Sequence, residues 1–379
     1  MKQITLQDCL TRENLTHHRH DGLILFDYNK SVTFNFDWDE ITIQARGIVF
    51  EEATGKIVAR PLRKFFNYEE LTGERGQTLP IEYQPNLTGP YMALEKLDGS
   101  CGIVFWYNDK WYVNTRGSFN SDQAVWATNW FNQNVLHELM NKSHTYVFEI
   151  IYPENRIVVD YGDKESMVLI AIIDVESGNE FFYDYLKSEG NTIGVDTAKC
   201  FHFDKFSDLF DARNVLTVNE EGFVVTFENG YKFKLKGEEY CRVHRTMSNL
   251  TPLNFWRVID VETYKVPQDF LTLLPEEFRD LSDNLTKITE EIHQNYFDEI
   301  VKLSQTVPYF DVSTSEGKKS RYIWVTENIE KKFSGLVIDL LNDKVWRTRD
   351  WIHRAVRPDA NSFNGVELPE RLKRILSES

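Results

Sequence analysis

The sequence Glu95-Lys96-Leu97-Asp98-Gly99-Ser100 places a lysine directly before an Asp-Gly turn at the entry to an apolar strand. A lysine held at such a turn directs its amine into a cleft, where it can act as a covalent nucleophile. Because lysine is protonated at its reference pKa of about 10.4, attack on phosphorus requires a pKa lowered by burial or by neighbouring cations. We therefore expect Lys96 to be uncharged. Taken alone, the motif is more typical of an ordinary surface turn, so its interpretation depends on other features.

A hairpin signature covers residues 221–236, with Asn229-Gly230 typical of a two-residue type I′ turn. Strict alternation predicts that the side chains at 232, 234 and 236 share one face, and Glu221 joins them if the strand extends that far. The predicted cross-strand pairs are Phe227 with Lys232, Val225 with Lys234, and Phe223 with Lys236.

The lysine-bearing face of this hairpin suits phosphoryl transfer. A carboxylate such as Glu221 can hold a hard metal ion, and two or three lysines neutralise phosphate oxygens as charge develops. The same cations would help to lower the pKa of Lys96. The alternative is a solvated edge strand whose lysines discourage aggregation, and the hairpin alone favours that alternative.

Further candidates are basic residues upstream and one isolated acid. Arg46 precedes a glycine, and Lys64 precedes Phe65-Phe66, so both could clamp a triphosphate or equally be surface charges over a core. Glu149 interrupts an apolar run and needs a polar partner, either a ribose hydroxyl or a structural arginine such as Arg156.

The elements that must position these residues change character along the chain. Short apolar and alternating runs dominate from about residue 22 to 240 and predict strands at 41–50, 102–115, 146–151, 167–175 and 222–236, with a helix at 121–142. Helical spacing follows, with Pro275 at the start of one long helix and a second helical stretch at about 326–356. We predict an α+β fold with antiparallel sheets over 1–245, followed by an all-α domain over 246–379.

Composition and charge narrow the class of protein. The chain has 379 residues, 41% hydrophobic and 27% charged, which excludes disordered and fibrous classes and predicts two or three domains. The N-terminus lacks an apolar leader and the four cysteines are scattered, so we expect a soluble, cytoplasmic protein with reduced thiols. The net charge is -16, although residues 317–379 hold 13 Lys and Arg against 9 Asp and Glu. Any anion-binding surface in the acidic part must therefore be local.

The motifs together resemble a known superfamily. KLDGS, EGFVV and KFKLK are similar, in order and spacing, to the nucleotidyl-attachment, metal-site and final lysine motifs of covalent nucleotidyltransferases, which comprise DNA ligases, RNA ligases and mRNA-capping guanylyltransferases. Within that superfamily, ARGIVFE, RPLRKFFN, TRGS, FEIIYPENRIVV and KFKLKGEEY resemble segments of bacteriophage-type RNA ligase 1, an ATP-dependent tRNA-repair enzyme. The resemblance covers about residues 40–245 and implies a nucleotidyltransferase domain of the ATP-grasp-like ligase type.

The resemblance implies a role for each matching residue. Lys96 would be the adenylated nucleophile, with Asp98 and Gly99 shaping its turn. Glu221 would serve the metal. The remaining implied residues are Lys234 and Lys236 at the α-phosphate, Arg46 and Lys64 at the other ATP phosphates, Phe66 in support of that site, Glu149 at the ribose, and Arg116 and Tyr240 in the ATP site with no firmer role.

The implied reaction uses ATP and Mg²⁺. Lys96 forms a lysyl-adenylate, AMP passes to the 5′-phosphate of an RNA, and the 3′-OH of a second end displaces AMP. The expected partners are RNA, with broken tRNA foremost, and an end-healing kinase or phosphatase, and we expect a monomer. Two departures affect these expectations: Arg116 replaces the family's lysine in a K-G-S triplet, and MVLIAIID lacks an aromatic residue to stack on adenine.

The C-terminal part carries its own candidate surface. On a helix, Lys344, Arg347, Trp351 and Arg354 fall on one stripe, and basic and aromatic groups together suit RNA phosphates and unstacked bases. A solvated helix face with partly buried tryptophans is the commoner explanation. Two other functions stay open: a DNA ligase or capping relative, which normally carries an OB-fold where this chain is helical, and a non-catalytic RNA-binding module.

Overall fold

The computed structural model describes residues 4–72, 74–248, 252–263, 265–267 and 279–358. The chain divides into two compact units, Met1–Arg242 and Val243–Ser379. The strands are β1 Leu15–His20, β2 Leu23–Tyr28, β3 Arg46–Glu51, β4 Ile57–Ala59, β5 Phe66–Asn67, β6 Tyr91–Lys96, β7 Ser100–Tyr107, β8 Lys110–Thr115, β9 His144–Ile151, β10 Ser166–Asp174, β11 Cys200–Phe201, β12 Gly222–Phe227 and β13 Lys232–Lys236.

The helices of the first unit lie between and beside these strands. They are α1 Leu6–Leu10, α2 Lys30–Asn35, α3 Glu40–Gln44, α4 Tyr68–Leu71, α5 Glu74–Gln77, α6 Asp122–Asn134, α7 Tyr183–Ile193 and α8 Phe206–Asn214, and α9 Glu238–Ser248 spans the boundary between the units. The helices of the second unit are α10 Pro252–Val258, α11 Arg279–Gln305, α12 Ser315–Asn328, α13 Lys331–Leu340 and α14 Val345–Ala355.

The described strands form three sheets, ordered β1-β2-β3-β4, β10-β9-β7-β8 and β11-β6-β12-β13-β5. Neighbouring strands are antiparallel except β13 and β5, which are parallel. Large buried side chains such as Phe26, Phe50 and Phe233 fill the space behind the first and third sheets. The predicted α+β class with antiparallel sheets and a helical C-terminal part is confirmed.

The predicted strand at 41–50 is only partly correct, because a short helix precedes it. The carboxylate of Asp39 accepts hydrogen bonds from the backbone N–H groups of Ile41 and Thr42, which starts α3. The chain becomes extended only at Arg46, the first residue of β3.

The β12–β13 hairpin differs from the prediction by one residue in register. The backbone N–H of Phe227 donates to the carbonyl of Tyr231, so three residues, 228–230, form the loop, and Gly230 adopts a left-handed φ of 82°. Lys234 therefore pairs with Val224 rather than with Val225. A three-residue loop with glycine in this conformation is an alternative to the two-residue turn that Asn-Gly usually forms.

The second unit contains only helices among its described elements. Buried apolar residues of α11, α12, α13 and α14 share one core that includes Ile300, Val325 and Val337. The single helical stretch predicted for 326–356 is wrong, because the chain leaves helical geometry after α12 and again at Asp343, whose φ is 57°. Pro275, predicted to begin the long helix, lies outside the described residues. Across the described helices, none has both the length and the apolar character needed to cross a bilayer.

Candidate active site

Lys96 and Glu221 meet because β6 and β12 are adjacent strands. Lys96 is the last residue of β6 and pairs with Gly222, the first residue of β12. The ammonium Nζ of Lys96 donates to Oε2 of Glu221 at 2.5 Å, and Nζ of Lys236 lies 2.9 Å from Oε1 of the same carboxylate. The Glu221 side chain is 3% exposed, so this is a buried cluster of two lysines around one carboxylate.

The charge state of Lys96 differs from the sequence-based expectation. Burial alone lowers the pKa of Lys96, but the neighbouring carboxylates of Glu221 and Glu149 outweigh it and raise the pKa above its ordinary value. Burial pushes the pKa of Glu221 up, but Lys96 and Lys236 bring it below its ordinary value. The expectation of an uncharged Lys96 is therefore wrong for this structure: Lys96 is an ammonium paired with a carboxylate.

The turn after Lys96 is fixed by Asp98. One carboxylate oxygen of Asp98 accepts from the backbone N–H groups of Val158 at 2.8 Å and Val159 at 2.9 Å. The other oxygen accepts from the hydroxyl of Tyr240 at 2.9 Å. The backbone N–H of Asp98 donates to the hydroxyl of Tyr161 at 2.9 Å. Both oxygens of this buried carboxylate are thus hydrogen-bonded, which holds the turn in one conformation.

Gly99 is required because the turn after Lys96 passes close to β9. A Cβ at position 99 would lie 2.4 Å from the carbonyl oxygen of Ile150, on β9. The backbone N–H of Gly99 donates to Oε1 of Glu149 at 2.9 Å. Burial raises the pKa of Glu149 to about 7, with Lys96 acting in the opposite direction. Glu149 therefore lies at the Lys96 turn.

Lys64, Lys234 and Arg46 form a cluster of cations near Lys236. Burial, followed by the charges of neighbouring cations, lowers the pKa of Lys64 to about 8 and holds that of Lys234 well below its ordinary value. Arg46 contributes to both shifts. Within the described ranges, none of these three residues forms an ion pair with a carboxylate within 4.0 Å. Half-buried cations that make no ion pair with a carboxylate are suited to bind an anion.

Aromatic rings support this cation cluster. The ammonium of Lys64 lies 5.1 Å from the ring centre of Phe66 and 4.9 Å from that of Trp38. The ring of Phe65 lies under Lys234 at 4.9 Å and near Arg46 at 5.9 Å. These distances are within the range of cation–π attraction, so the rings stabilise charges that have no carboxylate partner.

Arg116 is placed at the edge of the site by an acid that sequence reasoning missed. Its Nε lies 2.9 Å from Oδ2 of Asp27, and its guanidinium lies over the ring of Tyr28. Asp27 is 6% exposed, and its Oδ1 has no hydrogen-bond partner among the described residues. Burial raises the pKa of Asp27 despite the nearby Arg116 and Arg46. Asp27 interrupts the apolar strand β2, as Glu149 interrupts β9, and this signal could have identified it as a buried acid that needs a polar partner.

Other contributors to the site were also missed. Tyr161, Val158 and Val159 bind the Asp98 turn, and Trp38 lies beside Lys64. The segment FEIIYPENRIVV carried the resemblance but no ligand role for its valines, because backbone donors leave no signature of residue type. Arg156, considered as a partner for Glu149, forms an ion pair with Asp160 at 2.8 Å.

Residues 44–240, more than half of the chain, match the sequence profile of the RNA ligase family. The chain belongs to this family. The match includes Arg46, Lys96, Glu221 and Tyr240, and it confirms the family predicted from the sequence.

Named relatives of the RNA ligase family agree with this assignment. The chain is 26% identical to a candidate bifunctional polynucleotide kinase/RNA ligase of Autographa californica nuclear polyhedrosis virus, covering 69% of this chain but only 38% of the viral protein. It is 23% identical to an RNA ligase of Rhodothermus phage RM378, covering 65% of this chain and 69% of the phage protein.

Two solved ligases align over most of the RNA ligase chain. An archaeal ATP-dependent RNA ligase is 12% identical over 90% of this chain and 94% of its own, with a TM-score of 0.46. A candidate ATP-dependent DNA ligase of Aquifex aeolicus is 14% identical over 89% of this chain and 98% of its own, with a TM-score of 0.47. Family membership rests on the sequence match.

The donor set of this RNA ligase family member suits a nucleoside triphosphate with Mg²⁺. Half-buried cations that make no ion pair with a carboxylate match phosphate oxygens. Within the described residues, no three or more His, Cys, Asp or Glu side chains are arranged to hold a metal ion. Mg²⁺ characteristically binds through one or two carboxylates together with substrate phosphates, which one buried acid, Glu221, would satisfy.

The C-terminal residues predicted to contact RNA lie on and beside α14. Lys344, Arg347 and Arg354 are exposed, while Trp351 is half-buried against the helical core. Arg354 pairs with Asp350 at 2.7 Å. The aromatic side chain that faces solvent is instead Trp346, 62% exposed, with the guanidinium of Arg347 5.1 Å from its ring centre. The predicted stripe is therefore wrong in its aromatic member, because Trp351 faces the core.

Proposed function

We propose that the chain is an ATP-dependent RNA ligase that joins 3′-OH and 5′-phosphate ends through a lysyl-AMP intermediate on Lys96. The observation that carries the proposal is the placement of Lys96, Glu221 and Lys236 in one buried cluster beside cations that have no carboxylate partner among the described residues. Membership of the RNA ligase family supports the same conclusion.

The proposed chemistry begins with the amine of Lys96. The ammonium of Lys96 first loses one proton, and the neutral nitrogen then bonds to the α-phosphorus of ATP. The bond from that phosphorus to the oxygen that bridges to the β-phosphate breaks, pyrophosphate leaves, and the nitrogen loses a second proton to solvent. Glu221, at 2.5 Å, is the carboxylate in contact with the first of these protons. Lys234 and Lys236 would neutralise the α-phosphate oxygens, and Arg46 and Lys64 those of the leaving pyrophosphate. Mg²⁺, held by Glu221 together with the phosphates, would add Lewis-acid stabilisation when bound.

Two further transfers complete the proposed reaction. An oxygen of the RNA 5′-phosphate bonds to the phosphorus of AMP and the P–N bond to Lys96 breaks, which returns the amine. The 3′-OH of the second RNA end then bonds to the 5′-phosphorus, loses its proton and displaces AMP. Glu149, whose carboxylate lies at the Gly99 N–H, would bind the ribose of AMP in these steps.

Labelling with ATP tests the proposal. The wild type incubated with α-labelled ATP is expected to carry covalent label, Lys96→Ala none, and the exposed-lysine control Lys187→Ala as much as the wild type. Parallel reactions with GTP, and with nicked RNA and nicked DNA, separate an RNA ligase from a capping enzyme and a DNA ligase. If the wild type takes up no label, the chain is not a ligase, and a non-catalytic RNA-binding module becomes the favoured function.

We further propose that the chain repairs broken RNA, with tRNA foremost, together with a separate end-healing kinase or phosphatase. The viral relative is named as both a polynucleotide kinase and an RNA ligase, and this chain spans 38% of it. Since relatives come from a phage and a virus, we place the proposed activity in the cytoplasm of an infected cell. Ligation of a cleaved anticodon stem-loop, with and without added polynucleotide kinase, tests the dependence on healed ends.

A further inference from the structure

A cavity of about 680 Å³ extends from the cation cluster along the lysine face of the third sheet. It shares Lys64 and Phe66 with the site described above. Its other walls are the segment 60–65, the turn at 178–182 and the tip of the β12–β13 hairpin, including Lys232. Its volume is in the range of pockets that hold small ligands, about 300–1,000 Å³.

Two arginines in this cavity form no direct ion pair with an acid among the described residues, although the more distant carboxylate of Asp174 acts against the lowering of the pKa of Arg60 by burial. Arg60 is 7% exposed, and its Nε donates to the carbonyl of Val175 at 2.6 Å. Over the described ranges, neither Arg60 nor Arg63 forms an ion pair within 4.0 Å of a carboxylate. Both pack against Gly178, where a Cβ would lie 3.3 Å from Cδ of Arg60 and 3.4 Å from Nη2 of Arg63. Two neighbouring guanidinium groups with no carboxylate in direct contact are suited to bind an external anion.

The hydroxyl of Thr226, which pairs with Lys232 across the hairpin, lies on the lysine face of the same sheet. Thr226 is 7% exposed, and its Oγ1 has no hydrogen-bond partner among the described residues. Buried polar atoms are normally hydrogen-bonded, so a polar ligand would satisfy this hydroxyl. Tyr231 also lines the cavity, but its ring packs against the apolar core on the other face of the sheet. Glu180 also lines the cavity, but Lys232 pairs with its carboxylate at 2.6 Å.

Aromatic and apolar side chains complete the cavity wall. Phe65, Phe181 and Phe182 line the cavity, and the side chain of Phe182 is 58% exposed to solvent. Aromatic faces beside guanidinium groups are the combination that binds unstacked bases together with their phosphates.

The position of the cavity identifies which strand of RNA it would take. In an in-line transfer, the attacking and leaving groups lie on opposite sides of the phosphorus. When AMP passes to RNA, Lys96 is the leaving group, so the RNA 5′-phosphate enters from the side vacated by pyrophosphate. Lys64, which the proposed function places at the pyrophosphate, is one of the residues that line the cavity.

We propose that this cavity binds the RNA strand that carries the 5′-phosphate, with Arg60 and Arg63 on a phosphate of that strand and Phe182 under one of its bases. The inference rests on the proposed function. It assigns Arg60, Arg63 and Thr226 to a substrate site separate from the one that binds AMP.

Charge variants of Arg63 separate the RNA site from the ATP site. Arg63 is half-buried, and Arg63→Glu and Arg63→Ala are compared with Lys187→Glu, which makes the same charge reversal on the exposed face of α7. Three rates are measured: self-adenylation with ATP, release of ATP from the adenylated protein by pyrophosphate, and AMP transfer to a 5′-phosphorylated RNA oligonucleotide. Because self-adenylation requires a folded site, it also reports folding.

The expected result is a loss confined to the RNA step. Arg63→Glu should lower AMP transfer to RNA at least tenfold and Arg63→Ala by a smaller factor, while both keep self-adenylation and pyrophosphate release within twofold of the wild type. Lys187→Glu should keep all three rates. If self-adenylation or the pyrophosphate reaction slows as much as AMP transfer does, the cavity binds the triphosphate instead. If the rate of AMP transfer to RNA is unchanged, RNA does not bind in the cavity. A wild type that takes no label would instead overturn the proposed function.

Discussion

Lysines of one site differ in pKa according to how many carboxylates surround them. Lys96 lies among Glu221, Glu149 and Asp98, and its pKa is raised although it is buried. Lys64 and Lys234 are also buried but face other cations, and their pKa values are lowered. The residue proposed as nucleophile is therefore charged at rest, while Lys64 and Lys234, two of the residues proposed to hold phosphate, bind their protons less tightly than an ordinary lysine does. Binding of a polyanion changes the pKa values of all these lysines.

ATP binding should weaken as the pH rises through about 8, because Lys64, with a pKa of about 8, then loses its charge. Dissociation constants measured by calorimetry in a Lys96→Ala background isolate binding from the reaction of the nucleophile. We expect the dissociation constant to rise several-fold between about pH 7 and pH 9. In Lys96→Ala/Lys64→Arg the rise should be smaller, since arginine stays charged. Equally steep profiles for both proteins would contradict this assignment.

Glu149 should make the protein less stable as its carboxylate ionises. Its pKa is raised from 4.5 to about 7, so the folded protein holds this proton more tightly than the unfolded chain does. The corresponding contribution to stability is present at low pH and is lost as the pH rises through about 7. Glu149→Gln should raise the free energy of unfolding by roughly 3 kcal/mol at pH 8, and the gain should vanish towards pH 4.5.

Denaturant titrations at several pH values measure this difference. The exposed Glu165→Gln serves as the control and should show no pH-dependent change. A pH-independent difference between Glu149→Gln and the wild type would exclude ionisation as its cause.

At this scale the sequence predicted which residues meet, but not their charge. The order of the motifs was enough to bring Lys96, Glu221 and Lys236 together. The pKa of Lys96 depends on Glu149, which comes from β9, and no local pattern gives that distance. The contact of Asp27 with Arg116 was missed for the same reason, since it forms across the fold.

At the scale of elements, the β12–β13 hairpin was predicted with the correct lysine face but with the wrong cross-strand partners. The predicted lysine face is retained, because alternation within β13 does not depend on the loop. The cross-strand partners shifted by one residue, because loop length sets register and the loop has three residues rather than two. The placement of Glu221 beside Lys236 survived because Gly222, with a φ of 138°, departs from regular strand geometry at that point.

Gly230→Ala should destabilise the hairpin through its backbone alone. Gly230 has a φ of 82°, and nothing lies within 4 Å of the position that an added methyl group would take, so strain rather than a clash sets the cost. We expect a loss of about 1–2 kcal/mol in the free energy of unfolding. Gly335→Ala, in the middle of α13 with equally open space, is the matched control and should gain up to about 1 kcal/mol. Thermal or denaturant unfolding measures the stability change of each variant. Changes of the same sign in Gly230→Ala and Gly335→Ala would contradict backbone strain as the cause.

The exposed arginines of α14 test the proposed RNA surface of the second unit. Reversing Arg347 and Arg354 to Glu should weaken RNA binding about tenfold or more and leave self-adenylation unchanged, because neither residue belongs to the Lys96 site. Trp346→Ala should weaken RNA binding as well, whereas Trp351→Ala should mainly destabilise the helical core. Unchanged RNA affinity in the double arginine variant would exclude this surface.

At the scale of the whole molecule, a chain with a net charge of -16 must bind a polyanion through local clusters of cations. In the first unit, Lys234 interacts electrostatically with Lys64, Arg46 and Lys236, and Lys64 also lines the cavity that holds Arg60 and Arg63. Residues 1–316 carry a net charge of -20, so binding of RNA to this part of the chain away from these cations is disfavoured.

RNA affinity should accordingly depend only moderately on salt. Each phosphate contact to a single strand contributes a slope of about -0.7 in log affinity against log salt, so a few contacts predict a slope of about -2 to -4. Fluorescence anisotropy with a 5′-phosphorylated oligonucleotide over a range of NaCl concentrations measures it. Arg63→Ala should make the slope shallower by about one contact, whereas Lys187→Ala should not. A slope near zero, or one several times steeper, would contradict binding through a small number of clustered cations.

The ion pair between Lys96 and Glu221 also affects how readily Lys96 is chemically modified between reaction cycles. Aldehydes, acyl phosphates and other small electrophiles of the cell react with neutral amines, and a protonated amine in contact with a carboxylate is inert to them. The side chain of Lys96 is 17% exposed, whereas surface lysines such as Lys199, at 76%, are open to such attack. The reactive amine is thus shielded from accidental modification until its own substrate arrives.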